Sequence, residues 1–290
     1  MSDTLIYTVL VISTIGIISA LILYYVSQKF KVFEDPRIDI VEAILPGANC
    51  GGCGLAGCRA FAEACVNAND LKNLFCTVGG NESMDSVATS LGLTAIFKAP
   101  RTAVVRCNGT CAHRPKTTHF DGASTCAIEF SLYSGESDCS FGCLGLGDCV
   151  PVCNFDAIHL NSVTGLPEIT DEKCTACGAC VEACPKMIIE LRKQMPKFRK
   201  IYVACMNKEK GGIAKKACEV ACIGCGKCEK ICEFDAIQIT NNLAFIDSEK
   251  CKLCRKCVSV CPTNSILETN FPPQKIKPEA ATEKYNPIEA

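Results

Sequence analysis

The sequence contains no tryptophan, has only three histidines among its 290 residues and carries a formal net charge of −1. Because there is no charge excess, the chain lacks the electrostatic signature of a nucleic-acid-binding protein. The scarcity of histidine disfavours zinc sites, which commonly combine Cys pairs with His. No motif indicates a nucleotide-binding domain or a hydrolase, so we expect neither flavin nor NAD to bind to this chain.

Charged residues are also missing from Thr4 to Gln28, and Leu5–Val26 is nearly all apolar. A helix of that length spans about 33 Å, against roughly 30 Å of hydrocarbon in a bilayer. The preceding Asp3 and the length of the run disfavour a cleaved signal peptide. We predict a membrane anchor at residues 1–27. Lys29 and Lys31 follow it, so the positive-inside rule puts the remaining chain in the cytoplasm.

Cysteine, by contrast, is abundant, with 26 residues. Such a content indicates a scaffold built on cysteine. Short secreted proteins with disulfide frameworks can have a similar cysteine content, but their cysteines do not follow C-x2-C-x2-C-x3-C spacing. That spacing occurs twice in succession here, at Cys222, Cys225, Cys228 and Cys232, and at Cys251, Cys254, Cys257 and Cys261.

This spacing is typical of bacterial ferredoxins, in which three thiolates of one run and the fourth of the other hold each [4Fe-4S] cluster. The predicted ligand sets are therefore Cys222, Cys225, Cys228 and Cys261, and Cys232, Cys251, Cys254 and Cys257. Thiolates must stay reduced to bind iron, which agrees with a cytoplasmic location.

An earlier stretch repeats this arrangement less regularly, and its segment Cys149–Ile158 is similar to Cys228–Ile237. Its first run has wider spacing, whereas its second run is regular and Pro185 follows it. The same crossed-ligand rule predicts one cluster on Cys139, Cys143, Cys149 and Cys184, and another on Cys153, Cys174, Cys177 and Cys180.

A further group of cysteines lies near the anchor among several glycines, at Cys50, Cys53, Cys58 and Cys76. Glycines let the backbone fold tightly and direct its N–H groups toward a cluster. Joined to the apolar span and followed by the ferredoxin runs, this group resembles the B subunits of Rnf complexes, the ion-translocating ferredoxin:NAD oxidoreductases of bacterial membranes. The resemblance covers nearly the whole chain except the C-terminal tail. It implies that these four cysteines hold a [4Fe-4S] cluster near the membrane.

The resemblance also implies a function. The chain would be an electron-transfer subunit that takes electrons from soluble ferredoxin and relays them through five [4Fe-4S] clusters to other membrane and peripheral subunits. It would be a single-pass protein of the bacterial inner membrane, in contact with the lipid bilayer, and NAD would react at a partner subunit. The coupling ion, sodium or proton, stays open. Two alternatives also stay open: a subunit that keeps a redox-sensing regulator reduced, and a scaffold whose clusters only hold the fold.

Six cysteines remain outside these five sets, at positions 65, 107, 111, 126, 205 and 218. Cys65 lies on the apolar face of a predicted helix from Arg59 to Asn69, as a small buried thiol would. The others include two repeat-related pairs, each pair lying ahead of a ferredoxin run. Their repeat-related placement raises the hypothesis of a sixth cluster on Cys107, Cys126, Cys205 and Cys218. Reduced structural thiols are the favoured interpretation, because the spacing of these four cysteines does not by itself indicate that they converge.

These patterns together predict an α+β fold. It would comprise a transmembrane helix, a small helical [4Fe-4S] domain and two tandem ferredoxin modules of two clusters each. The predicted segments are 1–27 (anchor), 28–99 (helical domain), 100–137 (linker with a strand), 138–192 (first module), 193–217 (linker with a strand), 218–269 (second module) and 270–290 (disordered tail). The strands are expected at Arg101–Arg106 and Arg199–Ala204, and helices at 34–46, 59–69 and 82–97.

A basic stretch lies between the two modules, with Arg192, Lys193, Lys197, Arg199 and Lys200, followed by Lys208, Lys210, Lys215 and Lys216. A solvated face is the ordinary interpretation of such a run. Docking of a small acidic ferredoxin is the functional alternative, because complementary charge steers association and makes its rate sensitive to salt.

Overall fold

The computed structural model describes residues 2–29 and 34–272. Its first helix, α1 (Ser2–Lys29), contains a stretch from Ile6 to Lys29 that is long and apolar enough to cross a membrane. None of that stretch is buried against the rest of the described chain, which leaves its apolar side chains available to a bilayer. The predicted disordered tail falls, from residue 273 onward, outside the described residues.

A small helical domain follows, built from α2 (Arg37–Ile44), α3 (Cys58–Asn67) and α4 (Gly80–Leu91). Its core buries side chains from all three helices, including Val41, Phe61, Met84 and Val87. Cys65 is fully buried in this core, which confirms that it is a small packed thiol. At the surface, Arg59 of α3 pairs with the Glu42 carboxylate of α2 at 2.7 Å.

Helix α4 ends earlier than the sequence pattern predicted, at Leu91 instead of Phe97. The residue that ends it is Gly92, whose φ of 68° and ψ of 25° are left-handed. The Leu93 N–H then bonds back to the Ala88 carbonyl at 2.8 Å, which is the six-to-one bond of a Schellman cap. A glycine immediately after an apolar helical run was the available signal for this end.

Two units with the same layout make up the rest of the described chain. The first unit, residues 101–193, contains β1 (Arg101–Val105), α5 (Cys126–Leu132), β2 (Ile158–Leu160), β3 (Pro167–Ile169), α6 (Ala179–Glu182) and β4 (Ile189–Lys193). The second unit, residues 200–269, contains β5 (Lys200–Val203), α7 (Gly211–Ala217), α8 (Lys227–Lys230), β6 (Ile237–Thr240), β7 (Leu243–Ile246), α9 (Lys256–Ser259) and β8 (Ile266–Thr269). Both predicted strands, now β1 and β5, are present to within a residue.

Each unit is closed by its own first and last strands. Strand β1 pairs antiparallel with β4, and β5 pairs antiparallel with β8, while β2–β3 and β6–β7 form hairpins between them. The strands predicted to lie in linkers are therefore structural parts of the two units. Cysteines contribute to both apolar cores, so the fold and the thiol sites are built from the same residues.

The two units contact each other through buried charged groups. Arg192 is only 4% exposed, and its guanidinium binds Glu190 and donates to the Ile246 carbonyl of the other unit. Lys200 is also buried, and its ammonium lies 2.5 Å from the Asp171 carboxylate. Since these two cations of the predicted basic stretch are paired inside the protein, they are not free to attract a partner protein.

Candidate iron-sulfur sites

Twenty cysteines line five cavities, with four in each. We name the cavities by their thiols: cavity A has Cys126, Cys143, Cys149 and Cys184; cavity B has Cys153, Cys174, Cys177 and Cys180; cavity C has Cys107, Cys139, Cys205 and Cys218; cavity D has Cys222, Cys225, Cys228 and Cys261; cavity E has Cys232, Cys251, Cys254 and Cys257. Sets B, D and E agree with the crossed-ligand prediction. Sets A and C differ from it.

Tight turns shape the walls of these cavities. Gly178 and Gly226 adopt left-handed φ values of 89° and 77° immediately before α6 and α8. Glycine accepts this conformation at little cost, and it lets the thiol-bearing loop turn directly into a helix. Backbone N–H groups then face sulfur, as at Cys153, which accepts from Ala157 at 3.4 Å, and at Cys184, which accepts from Ile188 at 3.5 Å.

The arrangement of the thiols fits a cluster better than a single ion. Within residues 2–29 and 34–272, no three side chains of His, Cys, Asp or Glu converge on one ion-sized position. A zinc ion requires its ligands at about 2.0–2.3 Å from one point. A [4Fe-4S] cube instead spreads its four thiolates over separate iron corners. The four-thiol cavities with otherwise largely apolar walls therefore fit the larger group.

The main difference from the sequence prediction is an exchange between Cys126 and Cys139. Cys139 was expected beside Cys143 and Cys149, but it lines cavity C. Cys126 was expected in the sixth set, and it lines cavity A. The unusually wide spacing from Cys139 to Cys149 was the only signal of this exchange in the sequence.

Hydrogen bonds explain both placements. The Ala127 N–H at the start of α5 donates to the Asp148 carboxylate at 3.0 Å, which holds Cys126 against the loop before Cys149. Asn207, fully buried in the second unit, donates from its side-chain amide to the Cys139 sulfur at 3.6 Å. Neither contact is visible in local spacing, because each joins residues from separate segments.

Of the four N-terminal cysteines, Cys50, Cys53 and Cys76 lie in loops of the small domain and Cys58 is the first residue of α3. The Asn49 side chain accepts a bond from the Cys58 N–H at 2.8 Å and holds the loop across the start of α3. Burial, opposed by the Gly79 N–H and assisted by the nearby Cys58 and Cys50 thiols, raises the pKa of Cys76. These three thiols are thus neighbours, in keeping with the predicted set that also includes Cys53.

Burial changes the pKa of several cavity thiols. Burial, assisted by neighbouring thiols, raises the pKa of Cys143, Cys205 and Cys257 to about 12 each. As free groups these thiols are protonated at neutral pH. Iron binding must displace their protons, so the affinity for iron rises with pH in the range below these pKa values.

Cys261 in cavity D behaves differently. Burial by itself would raise its pKa, but hydrogen bonds from Ser265 and Thr263 together outweigh that effect and lower the pKa. The Cys261 sulfur lies 3.3 Å from the hydroxyl oxygen of the buried Ser265. Hydrogen bonds to cluster sulfur favour the more negative, reduced state and so raise the reduction potential.

Replacing Ser265 with alanine should therefore lower the reduction potential of the cavity D site. A single hydrogen bond of about 0.5–1.5 kcal/mol corresponds to about 20–65 mV for one electron. Potentiometric EPR titration measures the shift. Ser259→Ala is the matched control, since that hydroxyl bonds to the Lys256 carbonyl on the exposed side of α9. Equal potentials in the two variants would contradict the assignment of this role to Ser265.

The six groups of cysteines follow one another without a break. Gly52 of the N-terminal loop lies against Cys177 of cavity B, and Cys180 of cavity B lies near Cys149 of cavity A. The Cys143 N–H of cavity A donates to the Cys107 sulfur of cavity C at 3.5 Å.

The second unit continues this order. The Cys222 N–H of cavity D bonds to Cys205 of cavity C, and Cys228 of cavity D is among the thiols that raise the pKa of Cys257 in cavity E. The contacts give the order N-terminal site, B, A, C, D, E.

Protein-family comparison agrees with these sites. Residues 138–189 and 221–265 each match the family of 4Fe-4S dicluster domains, and residues 45–72 match the FeS family of Fe-S cluster sequences. Together with the thiol-lined cavities, the matches define an iron-sulfur protein that carries several [4Fe-4S] clusters.

Curated relatives specify the family. The chain is 42% identical over 266 residues to the B subunit of the Na⁺-translocating ferredoxin:NAD⁺ oxidoreductase complex of Acetobacterium woodii, covering 92% of this chain and 78% of the relative. It is 39% identical to the B subunit of an ion-translocating oxidoreductase complex of Methanosarcina acetivorans, covering 92% and 99%. It is 41% identical to the corresponding B subunit of the proton-translocating complex of Clostridium ljungdahlii, covering 91% and 92%. The chain belongs to the family of B subunits of ion-translocating ferredoxin:NAD oxidoreductase complexes.

Proposed function

We propose that the chain is the electron-transfer subunit of a membrane-bound ion-translocating ferredoxin:NAD oxidoreductase complex. In this role it takes electrons from reduced ferredoxin and passes them to other subunits. The unbroken succession of thiol sites from cavity E to the N-terminal domain is the observation that carries the proposal. When bound, [4Fe-4S] clusters accept and release single electrons, at potentials that depend on hydrogen bonds to sulfur and on burial.

The protein's own residues set the order and the environment of the sites. The buried walls of cavities A to E limit access of water, and backbone N–H groups stabilise the negative sulfur atoms. The N-terminal site follows α1 closely in sequence, which favours it as the exit toward membrane subunits. Lys29 in the last turn of α1 favours a single span with the thiol-bearing domains in the cytoplasm. The names of the relatives give different ions, sodium in one complex and the proton in another.

Electron entry is proposed at the second unit. Cys225 of cavity D and Cys254 of cavity E are exposed, unlike most of the other cavity thiols. Helix α7 lies against the loop that carries Cys225, since a Cβ on Gly211 would come within 2.7 Å of the Ile223 carbonyl oxygen. Four exposed lysines on and before this helix form what we call the lysine patch: Lys208, Lys210, Lys215 and Lys216. An acidic ferredoxin would be attracted to this surface.

Stopped-flow mixing under anaerobic conditions tests the proposal. The iron-loaded chain, mixed with reduced ferredoxin, should lose cluster absorbance rapidly and take up several electrons per chain. Replacing Lys208 and Lys216 with glutamine should slow this reaction several-fold at low salt and weaken its dependence on salt. Glutamine at Lys72 and Lys173, two exposed lysines on other parts of the protein, serves as the matched control.

Two results would count against the proposal at different levels. If a fully iron-loaded chain took up no electrons, ferredoxin would not be its donor. If uptake were fast but unaffected by the lysine-patch variant, ferredoxin would bind elsewhere on the chain, and electron transfer itself would stand.

A further inference from the structure

Cavity C is made by four separate segments that meet between the two units. Cys107 follows β1, Cys139 precedes the wide loop of the first unit, Cys205 follows β5, and Cys218 follows α7. Three of these thiols are buried, with exposed fractions of 6% for Cys139, 8% for Cys205 and 7% for Cys218. Ferredoxin spacing does not predict that these four cysteines share a site, because they do not belong to one run.

Each sulfur in cavity C is met by an N–H donor. The Cys143 N–H faces Cys107 at 3.5 Å, and the Asn207 backbone N–H faces Cys205 at 3.4 Å. The Asn207 side-chain amide faces Cys139, and the Val220 N–H faces Cys218. Neutral thiols need no such donors, whereas donors aimed at sulfur stabilise thiolates and cluster sulfur.

A fixed cation also lines the cavity. The guanidinium of Arg114 is held by the Gly109 carbonyl at 3.4 Å, the Ser137 hydroxyl at 2.9 Å and the Cys143 carbonyl at 2.5 Å. Gly142 leaves the space that this group occupies, since an added Cβ there would collide with the Arg114 Nη1 atom. A half-buried cation beside four sulfur atoms offsets the negative charge that thiolates bring into a site of low polarity.

We propose that cavity C is a [4Fe-4S] site held by Cys107, Cys139, Cys205 and Cys218, and that it bridges the two units of the relay. Cavity C is the link between A and D in the order described above, so the site completes the succession from one unit to the other. The bridging role rests on the proposed function, whereas the presence of the site is tested by iron content alone.

Six sites of four cysteines account for 24 of the 26 cysteines. They leave only Cys65, which belongs to the helical core, and the exposed Cys111. The anaerobically purified full chain should contain about 24 iron and about 24 labile sulfide atoms, at four of each per cluster. About 20 of each, or zinc in place of the last four iron atoms, would overturn the proposal. Native mass spectrometry makes this count on the unmodified protein and does not depend on any variant.

Variants then test which cysteines share the site. Cys139→Ala and Cys205→Ala should each lose about four iron atoms, and the double variant should lose no more than either single variant, since both remove one site. Cys126→Ala combined with Cys205→Ala should lose about eight, because Cys126 belongs to cavity A. Cys111→Ala is the control, since the exposed Cys111 lies between Cys107 and Cys126 in the sequence but lines none of the five cavities. This variant should lose no iron.

The opposite pattern would overturn the ligand set. Suppose that the Cys126→Ala, Cys205→Ala double variant lost only about four iron atoms, while the Cys139→Ala, Cys205→Ala double variant lost about eight. The cavity C site would then use Cys126 and not Cys139. If Cys205→Ala kept all its iron, cavity C would hold only structural thiols. Ferredoxin oxidation has no part in these counts, so a failure of the proposed function would leave them unchanged. A failure of the cavity C site would leave ferredoxin-driven reduction of cavities D and E intact.

Discussion

Removal of iron from the full chain by anaerobic chelation should abolish the protection of backbone amides in both thiol-bearing units. The reason is that the cysteines are also core residues. Five of them are buried in the core of the second unit, together with Val203, Ile237 and Ile246: Cys205, Cys218, Cys222, Cys228 and Cys257. Without iron, protonated thiols face cavities that no side chain fills. The binding energy of the metal is then lost from the free energy of folding.

Hydrogen exchange measured by mass spectrometry gives this prediction an internal control. Amides of β5, β6, β7 and β8 should exchange almost freely in the iron-free chain. Amides of α3 and α4 should lose less protection, because these helices pack through Phe61, Met84 and Val87 around a core with few cysteines. Strand amides that stay protected after complete iron loss would show that the apolar cores fold without the clusters.

Adding a single methyl group at Gly52 should slow the arrival of electrons at the N-terminal site several-fold. A Cβ there would lie 2.8 Å from the Cys177 carbonyl oxygen and 3.0 Å from the Cys177 Cα. Backbone atoms cannot yield as a flexible side chain can, so the N-terminal loop of Gly52→Ala must move away from cavity B. Electron tunnelling weakens exponentially with distance, and a small displacement therefore has a large effect on its rate.

The experiment compares Gly52→Ala with Gly212→Ala, in which the added methyl group meets no atom within 4 Å. Both variants should retain their full iron content. Rapid-freeze EPR after mixing with reduced ferredoxin should then show delayed reduction of the N-terminal site in Gly52→Ala alone. Equal rates in both variants would mean that electrons leave the first unit by another route.

The sequence predicted most strongly those features that local chain geometry determines. The regular runs from Cys174 to Cys184 and from Cys222 to Cys261 wrap their thiols around cavities because the spacing itself defines the loop. The apolar span was predictable for a similar reason, since a run of about twenty apolar residues favours a helix of membrane length, and α1 is such a helix.

Long-range contacts explain what the sequence could not reveal. The placement of Cys126 depends on Asp148, and that of Cys139 depends on Asn207 in the other unit. Arg192 and Lys200 looked like a charged surface because charge runs are usually solvated. The structure instead brings Arg192 to the Ile246 carbonyl of the other unit and Lys200 to Asp171 in the turn after β3. In each case a partner far along the chain, and not the local pattern, decides where the side chain lies.

The pairing of first and last strands also bears on how the protein is made. Since a chain leaves the ribosome from its N-terminus, β1 must wait for β4 until residue 193 has been synthesised, and β5 must wait for β8 until residue 269. During that interval the nascent chain exposes many reduced thiols that have neither a core nor a metal to protect them. Biosynthesis of each unit therefore has a vulnerable period, in which oxygen or premature disulfide formation can divert the chain before iron is delivered.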